Sequence, residues 1–384
     1  MSEARVNNLS NESNTGGPSI SGITTFSGTN FFVPPVGNTA ERPENPQKGA
    51  LRFNTDSGYL EYYRGDTIGW TDIEASNDEL GGGTGSNAGT GHRGLYWCGT
   101  PGELNTIEYI TISTLGDSTD FGDATDQERQ GGALASSTRG VHFGGYDGSG
   151  GINIIDYVTI SSTGNAVDFG DTTAVKTGGP AGLSNQTRGI IAGGETSPSN
   201  VDVIEYITIA QTGNAVDFGN LSNNRQAPGG GGNSIRGVIG GGIVPGTVDT
   251  IDYITIATTG NSADFGDLTQ ARRNIARGQS SNSTRHIFYA GQATPTVVNT
   301  IDYITIATTG NAIDFGDSPT VVESAGGCAS PTRAVFAGGH QSDPTIIDTI
   351  SYIEILTTGN TTDFGNLTSV QSNKAGCSNG HGGL

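Results

Sequence analysis

Ile301-Asp302-Tyr303-Ile304-Thr305-Ile306-Ala307-Thr308-Thr309-Gly310-Asn311 repeats, almost residue for residue, the stretch Ile251 to Asn261. Variants of it recur along the last three quarters of the chain. The central tyrosine returns at Tyr109, Tyr157, Tyr206, Tyr253, Tyr303 and Tyr352, in steps of 48, 49, 47, 50 and 49 residues. A fixed period of this length marks a repeat array in which each unit is one supersecondary element. Chemistry in such an array belongs to the loops that the frame displays.

Residues 328–366 spell out one unit. A small-residue stretch, Cys328-Ala329-Ser330, is followed by the turn Pro331-Thr332-Arg333 and the apolar run Ala334-Val335-Phe336-Ala337. The doublet Gly338-Gly339 closes that run. A variable loop, His340 to Thr345, leads to a second apolar run, Ile346 to Leu356, then to the turn Thr357-Thr358-Gly359-Asn360 and to Asp363-Phe364-Gly365-Asn366. The apolar runs are short, β-branched and aromatic, with turn residues at both ends, which is the pattern of strands. Thr-Gly-Asn supplies residues that tolerate positive φ in a tight turn. Each unit therefore reads as about four short antiparallel strands, the size of one propeller blade.

The order of apolar strand, Gly-Gly, loop, Asp/Glu-Tyr strand, polar hairpin and aromatic resembles the kelch blade, over roughly residues 84–384. The doublets are Gly144-Gly145, Gly193-Gly194, Gly240-Gly241 and Gly338-Gly339, whereas the first and fifth units carry Cys98-Gly99 and Ala290-Gly291. The kelch tryptophan is missing, and Phe121, Phe169, Phe218, Phe265, Phe315 and Phe364 take its packing place between blades. Six turn arginines, Arg93, Arg139, Arg188, Arg236, Arg285 and Arg333, match the six tyrosines. The expected fold is all-β: a six-bladed kelch-like β-propeller over 93–384, preceded by an extended arm and a small β-module. Residues 374–380 match the stretch that opens the sixth unit, and are expected to supply the innermost strand of the first blade and so close the ring. Closure removes the two unpaired edges that an open array would leave.

Composition narrows the function. The chain has 384 residues, 33% of them hydrophobic, and 63 glycines concentrated in turns and doublets. With 38 Asp+Glu against 18 Lys+Arg, a net charge of -20, it lacks the basic footprint of a nucleic-acid binder. Its three cysteines form no disulfide framework; Cys328 and Cys377 fall at equivalent repeat positions and read as small core residues. No run approaches the ~18 apolar residues of a membrane span, and Met1-Ser2-Glu3-Ala4-Arg5 opens no apolar signal core. Synthesis in a cytoplasm without a cleaved signal is expected.

The N-terminal quarter differs in kind. Residues 1–33 are rich in Asn, Ser, Gly and Thr and read as an extended arm that orders only against another subunit. Residues 34–76 read as a small β-meander: Gly49 to Asn54, a turn at Asp56-Ser57-Gly58, Tyr59 to Tyr63, and Gly69 to Ile73. Residues 77–92 read as a Gly/Ser-rich linker. Asn38-Thr39-Ala40-Glu41-Arg42-Pro43, Gly49 to Thr55, and Tyr59-Leu60-Glu61-Tyr62-Tyr63 through Gly69-Trp70 resemble a module of tailed-phage virion proteins, as in tail fibres of phages of marine cyanobacteria. The resemblance implies docking on other virion proteins through residues 1–76, a possible trimer, a virion location, and a C-terminal part facing the host.

Candidate sites follow from strand order. The Thr-Arg and Thr-Gly-Asn turns share one face; the loops after Gly-Gly and the connections after Asp-Phe-Gly share the other. On the first face the turn arginines, Arg188 and Arg236 among them, would either ring the channel mouth and hold an anion or cap turn carbonyls, and their presence in every unit favours capping. On the second face the loops vary, and recognition usually lives in variable loops on a constant frame. Tyr146, Asp147, Glu195, Gln292, His340 and Asp343 there are the candidate glycan ligands, against the alternative of ordinary solvent-facing connections. The repeated Asp120-Phe121-Gly122-Asp123 motif offers too few oxygens for calcium, and turn capping is the favoured reading. The five histidines show no metal spacing, and no catalytic set or cofactor motif is found. The expected function is non-enzymatic: a virion appendage displaying a propeller for host-surface attachment, through a glycan. The alternative is a decoration or assembly protein without a receptor.

Overall fold

The computed structural model describes residues 34–56, 59–73, 92–342 and 345–384. The arm 1–33, most of the linker 77–92, and Asp343 lie outside the described residues. The chain divides at 76/77 into two compact units. Among the described residues the protein is all-β, with a single 3-10 turn at Thr39–Glu41.

In the N-terminal unit, Leu51–Asn54, Tyr59–Tyr63 and Trp70–Ile73 form an antiparallel meander. Val36–Gly37 adds a parallel strand beside Leu51–Asn54, which the sequence did not announce. Between them Asn38 and Glu41 form a reciprocal capping box on the 3-10 turn. The centre of this small sheet is ionic. Glu61 is fully buried, takes Arg42 Nη2 at 2.5 Å and Arg52 Nη1 at 3.3 Å, and accepts from Asn54 Nδ2 at 3.2 Å. The Arg42 hydrogen bond leads in holding its carboxyl below the usual range.

The C-terminal unit is a series of antiparallel sheets, here numbered first to sixth. The second runs Gly132–Ala135, Arg139–Tyr146, Gly151–Thr159, Val167–Lys176. The third runs Ala181–Ser184, Arg188–Ala192, Val203–Thr208, Val216–Asn220; the fourth Gly229–Gly232, Arg236–Gly240, Thr250–Thr255, Ala263–Asp267. The sixth runs Gly326–Ala329, Arg333–Ser342, Thr345–Glu354, Thr362–Asn366. The first is built from both ends of the unit: Ala375–Ser378 pairs with Arg93–Gly99, followed by Leu104–Thr111 and Thr119–Glu128. The expectation of four strands per unit is corrected at the fifth sheet, which has three, Arg285–Ala293, Thr296–Thr305 and Ile313–Asp317. Elsewhere the second residue of the edge strand is alanine or glycine, but here the chain carries Gln279. Residues 277–278 instead bridge to Gly326 of the sixth sheet and Gly376 of the first. Gly278, at φ +120, touches the carbonyls of Gly327 and Gly376, where any Cβ would collide.

The repeated residues prove to be contacts between successive sheets. Each turn arginine stacks on its own sheet's tyrosine, guanidinium carbon to ring centre 4.4–4.8 Å. Its Nη1 then donates to a carbonyl of the next sheet: Arg93 to Ile160, Arg139 to Ile209, Arg188 to Ile256, Arg236 to Ile306, Arg285 to Ile355. Arg333 of the sixth sheet reaches Ile112 of the first. The Thr-Gly-Asn asparagines reach the other way, to the preceding sheet. Asn165, Asn214, Asn261, Asn311 and Asn360 accept from the backbone N–H of Asp123, Asp171, Asn220, Asp267 and Asp317, and Asp117 accepts from Asn366. The capping expected of the Asp-Phe-Gly aspartates is thus done onto them, by asparagine. Gly122 of that motif has φ +147 and lies against the Gly164 carbonyl of the next turn, so no side chain fits there.

The core follows the same plan. One apolar cluster joins Leu95, Ile107 and Phe121 of the first sheet to Val158 and Ile160 of the second. Further clusters join second to third, third to fourth, fourth to fifth, fifth to sixth, and sixth to first. The phenylalanines sit in these clusters, edge-on to the tyrosines at 5.8–6.2 Å between ring centres. Beyond Ser378 the tail turns inward: His381 Nε2 lies 2.9 Å from the Ala135 carbonyl, and Gly382 N–H donates to Ser281. His381 Nδ1 accepts from Gly383 N–H at 3.1 Å. Burial pushes its pKa down to about 4.

Candidate functional site

The residue before each repeat tyrosine is a carboxylate in five sheets: Glu108, Asp156, Glu205, Asp252 and Asp302, all at most 2% exposed. Each accepts from the backbone N–H of a Thr or Ser in the preceding sheet's segment: Thr368, Thr125, Thr173, Ser222 and Thr269. An anion this deep needs a partner. At four junctions the preceding segment sends a cation: Lys374 to Glu108 and Lys176 to Glu205 at 3.4 Å, Arg272 to Asp302 at 2.9 Å, and Arg225 to Asp252. Burial pulls the pKa of both arginines down, and the paired aspartates oppose it.

The junction of the first and second sheets departs from this. Where Lys176, Arg225 and Arg272 stand, at the end of the sheet before the carboxylate, the chain has Glu128. The cation comes instead from the second sheet itself, where His142 replaces the Ile or Phe of most other units. His142 Nδ1 lies 2.7 Å from Glu128 Oε1 and 3.8 Å from Asp156 Oδ1. Cys98 Sγ lies 3.7 Å from Glu128 Oε1. Trp97 stacks on the imidazole with ring centres 5.4 Å apart. Cys98, Glu128, His142 and Asp156 are each at most 3% exposed. Burial opposes charge on the imidazole, but Glu128 and then Asp156 outweigh it and raise its pKa. Burial raises both carboxyls and, more strongly, the Cys98 thiol. Cys98 also has φ +52, at a position where Gly144, Gly193, Gly241 and Gly338 carry glycine at φ +61 to +68. The grouping escaped the sequence reading because the four residues share no local spacing. Its one signal was that three of them break the repeat.

The loop candidates are spread over several sheets and are engaged by their own loop or by the connection from the preceding sheet. Arg129 lies over the Tyr146 ring at 5.1 Å, and the Tyr146 hydroxyl donates to Gly148. Asp147 Oδ1 accepts from Ser149 and Gly150 N–H, both at 2.7 Å; the Gly150 bond leads in lowering its pKa. Glu195 pairs through its backbone with Thr177. Gln292 Oε1 accepts from Arg273 Nε at 2.8 Å, and His340 Nδ1 lies 3.6 Å from Glu323. Arg188 and Arg236 are committed to the Ile256 and Ile306 carbonyls, the capping geometry, on the face opposite these loops. What the loop face does form is an open cleft of about 570 Å³ between third and fourth sheets, lined by Pro198, Ser199, Asn200, Asn223, Asn224 and Pro245 among others. Pro198 and Pro245 belong to the variable loops after Gly-Gly, whereas Asn223 and Asn224 come from the connection after Asp-Phe-Gly, in which the sequence marked no candidate. Comparison of the chain with protein-family models and with curated proteins found no match.

Proposed function

We propose that this chain is a non-enzymatic recognition protein: a kelch-like propeller of six blades whose loop face binds a glycan, carried on a phage virion appendage through residues 1–76. The observation that carries the reading is a constant frame with one variable, polar face. The repeated arginines and turn asparagines are spent on sheet-to-sheet contacts, and Arg333 and Asp117 make the sixth-to-first ones. In a propeller, the His381 tail would fill the axis. The cleft between third and fourth sheets offers amides and hydroxyls with two prolines, donors and acceptors suited to sugar hydroxyls beside small apolar patches. Its volume falls in the ~300–1,000 Å³ range of ligand sites. The virion placement rests on the N-terminal resemblance alone.

The test uses the full chain, fluorescently labelled, on a panel of immobilised bacterial surface polysaccharides. Saturable binding to some member, lost in Asn223→Trp with an unchanged melting temperature, is expected. Binding that Asn223→Trp leaves intact moves the site off this cleft. Failure on every polysaccharide and on whole host cells favours the decoration or assembly role.

A further inference from the structure

We propose that Cys98, Glu128, His142 and Asp156 form a closed structural site for a tetrahedral divalent transition metal, of the zinc class, that clamps the first sheet to the second. Cys98 Sγ, a Glu128 oxygen and His142 nitrogen already lie within 4.8 Å of one another. Tetrahedral zinc, with Zn–N and Zn–O near 2.0–2.2 Å and Zn–S near 2.3 Å, separates its donors by about 3.3 Å for N···O and about 3.6 Å for S···O. The Cys98 Sγ–Glu128 Oε1 distance is 3.7 Å and the His142 Nδ1–Asp156 Oδ1 distance 3.8 Å. To admit the ion, the 2.7 Å Glu128–His142 contact must open by about 0.6 Å, and the Asp156 carboxylate must close on the other three ligands to complete the tetrahedron.

Asp156 Oδ1 supplies one sign, shared with Glu108 Oε2 and Asp252 Oδ1 at the same repeat position. It is buried, faces His142, and has no hydrogen-bond partner among the described residues, while Oδ2 is taken by Thr125. A buried acceptor left open is costly. The repeat supplies a second. Elsewhere the equivalent positions of Cys98 and His142 carry glycine or alanine and mainly apolar residues. Three departures from a near-identical repeat converge on one point, and all three are ligand types. Sulfur with imidazole and carboxylate selects a borderline-soft ion over calcium or magnesium. All four positions are protein donors, so the site holds structure and leaves no position open for catalysis. Binding would release the thiol and imidazolium protons to solvent.

The experiment expresses the full chain in minimal medium with added zinc or cobalt, passes it over a chelator, and counts metal per chain by native mass spectrometry. One ion per chain is expected, with thiolate-to-metal charge transfer in the cobalt form. Cys98→Gly restores the residue that the repeat places at this left-handed φ, so it should fold, and melting checks that it does. It should retain at least tenfold less metal and show no charge-transfer band. Wild-type protein without metal in both media, or equal retention by Cys98→Gly, overturns the proposal.

Discussion

The fifth-to-sixth junction and its neighbour, the fourth-to-fifth, solve the same packing problem with opposite chemistry. Between fourth and fifth sheets the slot holds the Arg272–Asp302 pair, both side chains fully buried. Between fifth and sixth, Asp becomes Ser351, the capping Thr becomes Pro319, and the cation becomes Val322. Tyr289 fills the gap, its hydroxyl on Ser318 at 2.9 Å and its ring stacked on Phe336 at 3.9 Å. The three changes are coordinated, as they must be: a lone buried charge costs far more than a neutral pair. The difference teaches that the ion pairs are not what holds successive sheets together. Apolar packing, arginine stacks and asparagine caps are common to the two junctions, and the slot that charges fill in one is filled by hydroxyls in the other.

The widest break in this comparison would be made at the sixth-to-first junction, where the pairing strand comes from the far end of the chain. Removing residues 375–384 strips Ala375–Ser378 from Arg93–Gly99 and takes Ala375 and Cys377 from the cluster of the first and second sheets. It also leaves new strand edges. We expect loss of a single cooperative melt, whereas the same number of residues cut from the N-terminus should leave the melt of this unit in place. Calorimetry reads both.

Next in size is the pair itself. Arg272→Met strands Asp302 and should cost about 3–5 kcal/mol in urea unfolding. Adding Asp302→Ser, which mimics the neutral junction, should recover most of it. If the double variant is as unstable as the single one, the equivalence of charged and neutral slots fails.

The period, the strands, the arginine ladder and the C-terminal strand were legible because they are local patterns repeated. The missing edge strand of the fifth sheet was nearly so: Gln279 stands where every other unit has alanine or glycine. The Cys98–Glu128–His142–Asp156 group was not, since strand pairing and sheet packing alone bring those positions together.

Two histidines sharpen the contrast by pH. His142, between two carboxylates, is pushed up; His381, against carbonyls, is pushed down to about 4. A buried histidine that refuses a proton stabilises the fold fully above the unfolded pKa near 6.5 and loses that contribution as pH falls toward 4. The shift corresponds to about 3 kcal/mol at most. Denaturant midpoints from pH 7 to 4.5 should fall more steeply for the wild type than for His381→Ala, and equal slopes would remove His381 from the account.

What the sequence determined by itself is everything that depends on near neighbours. Alternating turns and β-branched runs fix the strands, the period fixes their grouping, and the acidic balance fixes the character of the surface. What only the tertiary structure decided is what each repeated residue is for. The arginines are spent on the next sheet's carbonyls, the asparagines cap the preceding sheet's Asp-Phe-Gly turn, and the loop candidates are dispersed while a cleft and a buried ligand group form elsewhere. The reason is that these contacts join residues in different repeats. Their partners are chosen by packing geometry, which a one-dimensional pattern does not carry.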